Sequence, residues 1–250
     1  MNDWLDDLIT AVAFLTRLPM PHPTGSMPQN FVRAHRMFPL VGAAIGGAVG
    51  LFYLGMRVVG LPDLAAAALA LGASAILTGA LHEDGLADVA DGFGGGRDPA
   101  AKLEIMRDSR LGTYGALILM VSFIAKLAAL AALPDAFVVQ SLIAAHALAR
   151  SVLPAMSMSL PYARKDGLAA NAGRPDSATA VTAGAFALVI ALLSLPWWEA
   201  LCAALAAAAS AIGMAWLAQR QIGGQTGDVL GGAEQVGETA ILVLLATQFG

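Results

Sequence analysis

The chain has 250 residues, 58% hydrophobic and only 13% charged, about half the roughly 25% charge of a soluble globular domain. Mean hydropathy is +0.70 and aromatics contribute only 6%, so the apolarity comes mainly from Ala, Leu, Val and Ile. These values exclude a soluble enzyme, a disordered chain and a secreted disulfide scaffold; Cys202 is the single cysteine, so no intrachain disulfide supports the fold. The expected fold class is all-α, a polytopic integral membrane helix bundle formed by one domain, residues 1–250. The net charge of −4 is concentrated in residues 82–110, where Glu83, Asp84, Asp88, Asp91, Asp98, Glu104 and Asp108 face Arg97, Lys102, Arg107 and Arg110. There is no basic tract, so nucleic acid is not an expected partner.

In chain order, residues 4–18 carry an apolar run too short to span, with acids on one face. They read as an amphipathic helix in the membrane interface. The start of the chain, with Asp3, Asp6 and Asp7 before any positive residue, does not read as a secretory signal. A spanning helix needs roughly 20 apolar residues. Seven stretches approach that: 37–59, 64–81, 111–133, 136–160, 179–195, 198–219 and 234–249. The fifth and last are short. Eleven of the fourteen Lys and Arg residues then fall on one side, in 19–36, 82–110, 161–178 and 220–233 or just before the first span. Lys and Arg are retained in the cytoplasm, so the N-terminus and these four loops are expected there. The setting is the cell (inner) membrane, with lipid as a partner. Gly42, Gly46 and Gly50, at every fourth position, form a face for close helix packing, and a homo-oligomer stays open.

The densest polar signal is HEDGLADVADG, 82–92. Asp84, Asp88 and Asp91, spaced four and three apart, share one helical face if the second span continues as a helix. Like charges gathered so repel unless a cation joins them, and Mg²⁺ suits oxygen ligands and phosphate substrates. The alternative is a solvated acidic face. Gly94, Gly95 and Gly96 follow, either as a nest of amide groups for an anion or as a flexible connector. Asp98-Pro99 reads as an N-cap and first helical position, with a helix through about residue 108. Asp108 is either a further metal ligand or an ion-pair partner of a nearby Arg.

Three more polar positions fall inside the spans. Charges there are expensive and mark function by default. Arg150, a fork suited to phosphate, is read as functional. Lys126 is balanced between a substrate contact and an internal ion pair. His146, four residues before Arg150, is read as a hydrogen-bonded core residue. The last loop places Asp228 among glycines, as a clamp of backbone and carboxylate, ahead of Glu234 and Glu238.

With these residues the chain resembles the cobalamin synthase, or adenosylcobinamide-GDP ribazoletransferase, family. The matching segments are TRLPMP (16–21), FPLVGAAIGG (38–47), GALHEDGLADVADGFGG (79–95), LEIMRDSRLGTYG (103–115), ARSVLP (149–154), YARKDGL (162–168) and TGDVLGGAEQVGE (226–238). The resemblance implies a membrane-embedded, Mg²⁺-dependent enzyme. It joins α-ribazole, or its phosphate, to adenosylcobinamide-GDP, releasing GMP late in cobalamin biosynthesis. It maps the acidic motif onto Asp84, Asp88 and Asp91, and the later acids onto Asp108 and Asp228. The expected metal ligands are Asp84, Asp88, Asp91 and Asp108. The expected catalytic groups are Asp88, Asp91, Arg110 and Arg150. Expected substrate contacts are His82, Gly94, Gly95, Arg107, Lys126 and Asp228. Two rivals are a CDP-alcohol phosphotransferase, whose motif would put Arg where Asp88 stands, and an ion-coupled carrier, which would gather polar groups at the bilayer midplane.

Overall fold

A computed structural model describes residues 3–21, 27–164 and 173–249; Lys165 and the middle of the 161–178 loop lie outside them. The described chain is helical: α1 Asp3–Leu15, α2 Met27–Ala34, a 3-10 turn His35–Met37, α3 Phe38–Val58, α4 Asp63–Thr78, α5 Leu81–Gly95, α6 Pro99–Ile105, α7 Thr113–Ala132, α8 Asp135–Ser159, α9 Ser177–Ser194, α10 Trp197–Ile222 and α11 Gly227–Phe249.

Membrane helices gain nothing from hiding apolar side chains from lipid, so close packing decides which of them lie inside. The α3–α8 seam shows this directly. A Cβ on Gly42 would lie 2.4 Å from the His146 carbonyl oxygen, on Gly46 2.3 Å from that of Leu142, and on Gly50 2.8 Å from Val139 Cα. Three missing side chains, one per turn, let the two backbones touch. α8 and α11 are mostly buried, whereas α7, α9 and α10 expose most of their apolar surface. Val121 and Ile124 on α7, Val181 and Leu193 on α9, and Leu205 and Ile212 on α10 all point outward. An outer wall of bare aliphatic side chains is what lipid-facing helices require.

The helix count refines the seven-span expectation. Six described helices are each long and apolar enough to cross a membrane. α4 has only 16 residues, and it qualifies only together with α5, across a 92° bend. The bend is made by consecutive left-handed residues, Gly79 (φ 69°) and Ala80 (φ 54°). The positive φ of Gly79 favours glycine, and an added Cβ would also have to displace the Arg17 guanidinium. The second span therefore does not continue straight. α5, with four carboxylates in fifteen residues, turns out of it and lies across the end of the bundle.

Three expectations need correction. Most of the 82–110 "loop" is helix, α5 and α6, with Asp98 capping α6 as expected through the Ala101 N–H at 2.9 Å. The glycine-rich 220–233 segment becomes the first turns of α11 from Gly227 onward. The acids of α1 do not all face headgroups: Asp7 is fully buried and is held by Arg33 at 2.9 Å and Arg36 at 2.6 Å. The cations of α2 and the 3-10 turn draw that face inward.

Gly46→Ala is expected to lower stability by about 1–3 kcal/mol, read as thermal unfolding by circular dichroism in detergent, since even a methyl meets backbone. Gly72→Ala in α4 has nothing within 4 Å of the added carbon. It should raise stability by up to about 1 kcal/mol through helix propensity. Equal effects at both positions would contradict the α3–α8 seam.

Candidate active site

α5 crosses α11 at glycines. A Cβ on Gly85 would lie 2.9 Å from the Asp228 carbonyl oxygen, and one on Gly231 3.3 Å from His82 Cα. This contact brings the HEDGLADVADG segment against TGDVLGG. A second device fixes the chain beside it. Residues 161–163 and 225 pair as a short parallel bridge, with the Gln225 N–H donating to Pro161 O at 2.8 Å and the Ala163 N–H to Gln225 O at 2.9 Å. The bridge sets Arg164 Nη2 2.9 Å from Asp228 Oδ2.

A cleft of about 280 Å³ opens here. Its lining is part polar, with Asp84, Asp228, Arg164, Tyr162, Gln225 and Thr226, and part apolar, with Phe14, Phe31, His35, Phe38, Leu81 and Leu153. His82 also lines it. Arg164 Nε and the Tyr162 hydroxyl are buried without partners. Asp88 lies beside this group. Burial first, then the charges of Asp228 and Asp84, push its carboxyl up to about 7; Arg164 opposes the rise. Several carboxylates therefore act on Asp88, with Arg164 opposing them.

Asp84, Asp228 and His82 line the cleft and Asp88 lies close enough to feel the charges of both aspartates; the other candidates lie outside the cleft lining. Asp91 accepts from the Gly112 N–H at 2.7 Å and the Gly115 N–H at 2.8 Å. It acts as an N-cap for α7 supplied by another helix, satisfying N–H groups that the first turn leaves open. Asp108 pairs with Arg110 at 2.5 Å in an exposed turn, the ion-pair alternative to a metal ligand. That pairing holds the Asp108 carboxyl below its usual range. Gly94 packs on the Tyr114 ring and Gly95 on Ile105, while Gly96 backs onto Lys102; the glycine run folds α6 against α5. Arg107 is exposed at the end of α6.

Arg150 and Lys126 lie inside the bundle. Arg150 is 1% exposed and Glu234 0%; they pair at 2.5 Å. Glu234 also meets His82 at 3.2 Å. Glu238 takes His146 at 3.0 Å and Lys126 at 3.2 Å, and Lys126 donates to Gln235 Oε1 at 2.7 Å. Two glutamates thus meet two permanent cations. Ligand atoms of His146, Glu234 and Glu238 lie within 4.8 Å of one another, a spacing that could hold a metal ion. Arg150 and Lys126 already neutralise both carboxylates, so the group reads better as a closed ion network. Sequence reasoning singled out Arg150 and Lys126 without their partners, because i,i+4 glutamates on α11 carry no sign of what faces them. It also missed Arg164, Gln225 and the aromatic residues as cleft groups. Arg164 stands within the quoted YARKDGL segment, which was its available signal.

A polytopic helical membrane protein with an acidic cleft at one end of the bundle is the class these features define. The chain belongs to the family described as CobS, cobalamin-5-phosphate synthase, which matches residues 7–246. Similar proteins named adenosylcobinamide-GDP ribazoletransferase occur in Bradyrhizobium diazoefficiens (44% identical, over 96% of this chain and 93% of that protein). Others of that name are in Rhizobium etli (41%, 99% and 98%) and Brucella anthropi (41%, 96% and 96%). No solved structure matches the chain.

Removing one member of a buried ion pair strands the other. Arg150→Met is expected to cost about 3–5 kcal/mol, and adding Glu234→Gln in the same chain should recover part of that loss in thermal unfolding. Asp91→Ala opens two N–H groups of α7 and is expected to cost about 1–3 kcal/mol, measured in the same way.

Proposed function

We propose that this chain is an adenosylcobinamide-GDP ribazoletransferase of the cell (inner) membrane, that the cleft is its active site, and that the cleft faces the cytoplasm. The carrying observation is the convergence of Asp84, Asp88, Asp228 and Arg164 where α5 crosses α11, in a chain whose relatives bear that name. The cytoplasmic orientation rests on the Lys and Arg count of the connections at that end.

Mg²⁺ is the expected cofactor. The donors at the cleft are carboxylate oxygens, the hard ligands this ion prefers. Burial first, and then the charges of Asp228 and Asp84, push Asp88 up to about 7; the negative charges are what a divalent cation would relieve. Asp84, Asp88 and Asp228 would hold it, and when bound it supplies charge neutralisation to a diphosphate and its departing group. Arg164 spends one nitrogen on Asp228 and keeps Nε unpartnered, so its guanidinium has a free edge for a phosphate oxygen.

In the reaction the ribazole hydroxyl oxygen bonds to the phosphorus that carries the cobinamide. The phosphorus–oxygen bond to GMP breaks, and the hydroxyl proton leaves. Phosphoryl transfer asks the protein mainly for positioning and charge stabilisation. Arg164, in the cleft, replaces Arg110 and Arg150 as the group that meets charge on the leaving nucleotide. Asp91 keeps the α5–α7 contact that aims Asp88, and takes no part as ligand or base.

In nanodiscs the protein is expected to release GMP only with cobinamide-GDP, ribazole and Mg²⁺ all present, and EDTA should stop the release. Asp84→Asn, Asp88→Asn and Asp228→Asn should each lower the rate at least about 100-fold while the protein stays folded. An active Asp88→Asn enzyme would overturn the assignment of this carboxylate.

A further inference from the structure

The mechanism above uses only the polar part of the cleft lining. The apolar part is a wall of rings. Phe14 meets Phe31 edge-on at 4.7 Å between centroids and lies parallel to Phe38 at 5.8 Å. His35 stacks on Phe38 at 4.4 Å and meets Phe31 edge-on at 5.0 Å. The imidazole is fixed further by Nδ1, 2.9 Å from Phe31 O and 3.1 Å from Val32 O. With Nδ1–H donating to these carbonyls, Nε2 is left as a lone-pair acceptor. Gln225 lines the same cleft. It is 1% exposed, its Nε2 donates to Ser157 O at 2.8 Å, and its Oε1 is buried without a partner. Burying an acceptor without a donor is unfavourable, and a donor on a bound ligand would relieve it.

We propose that the aromatic wall is the subsite for the fused-ring base of the ribazole acceptor, with a sugar hydroxyl of that nucleoside donating to Gln225 Oε1. The inference rests on the activity proposed above. Size supports it. At about 280 Å³ the cleft lies near the lower end of small-molecule pockets, roughly 300–1,000 Å³. It has room for a nucleoside and none for a corrinoid. Chemistry selects which planar group it takes. Phe14 and Phe31, backed by the buried Phe38, offer only apolar ring surface, which suits an apolar two-ring base. Guanine would bring a rim of donors and acceptors to a wall whose rings offer one acceptor, His35 Nε2. Position agrees as well. Asp84, Asp228 and Arg164 line the same small cleft as the rings, so a base held there keeps its ribose in one cavity with the carboxylates and the phosphate-binding arginine.

The test is steady-state kinetics in nanodiscs with each substrate varied in turn. Phe31→Leu keeps apolar volume and removes the ring. It is expected to raise KM for ribazole about tenfold, leaving KM for cobinamide-GDP unchanged. Imidazole riboside, with the same sugar and half the ring system, should show the same loss on the unaltered protein, which requires no variant to fold. For any variant without turnover, equilibrium dialysis of ribazole against Phe14→Leu and Phe31→Leu reads the same loss of affinity. A rise in KM for cobinamide-GDP instead would place guanine on the wall and overturn the subsite. Unchanged ribazole affinity in both variants would overturn it equally. An unaltered protein that releases no GMP, or releases it without ribazole, would defeat the activity itself, an outcome separate from both.

Discussion

Where α5 passes over α11, backbone lies against backbone, and the rest of the site follows from that contact. Gly85 and Gly231 carry no side chain because each faces the other helix's main chain at van der Waals distance or less. The crossing needs the 92° turn before α5, and that turn needs two left-handed residues in a row. The second is Ala80, a side-chain-bearing residue in a conformation that costs about 1–2 kcal/mol. Packing of α5 against α7 and α11 must hold it there. Asp91 supplies part of that hold by fastening α5 to the N-terminus of α7, so an acid in the middle of the motif serves the geometry of its neighbours.

Beneath the crossing lies the ion network. At 1.5 Å per residue Glu238 stands roughly 16 Å along α11 from Gly227, far from the end where the cleft opens. Isolated charges at such depth are expensive. Here Glu234 and Glu238 meet Arg150 and Lys126 from α8 and α7, with His82 and His146 adding contacts. The network ties four helices together, α5, α7, α8 and α11. His82 belongs both to it and to the cleft wall, so the packing of the interior fixes one residue at the reacting end. Midplane charge was the feature expected of a carrier. Its neutralised, closed form shows that such charge also serves as a structural tie.

Composition alone made the membrane bundle legible, because lipid-facing helices must show aliphatic surface and this chain has little else. The acidic segment was legible too: spacing of four and three places Asp84, Asp88 and Asp91 on one helical side. Spacing could not show that Asp91 is taken by the N–H groups of Gly112 and Gly115, since that partner lies across a turn. Nor could it separate a glycine run that packs α6 from one that binds an anion; Tyr114 and Lys102 decide that. The ring cluster was hidden for a related reason. Phe14, Phe31, His35 and Phe38 come from four elements, α1, α2, the 3-10 turn and α3, and only the fold of α1 back onto α3 makes them one wall.

Depth and pairing vary together through the molecule. The interior charges are matched nearly one to one, as a low-dielectric setting demands. At the cleft the match fails: Asp84, Asp88 and Asp228 crowd together, with Arg164 as the cation acting on Asp88 and joined to Asp228. A fold that balances its charges so closely inside can leave an imbalance only where something else arrives to complete it. Three carboxylates and one guanidinium leave a formal excess that a single divalent cation would neutralise. On the proposed reading the cation and its phosphate ligand meet the carboxylates and Arg164, while the Phe14 and Phe31 rings that line the same cleft meet a neutral base.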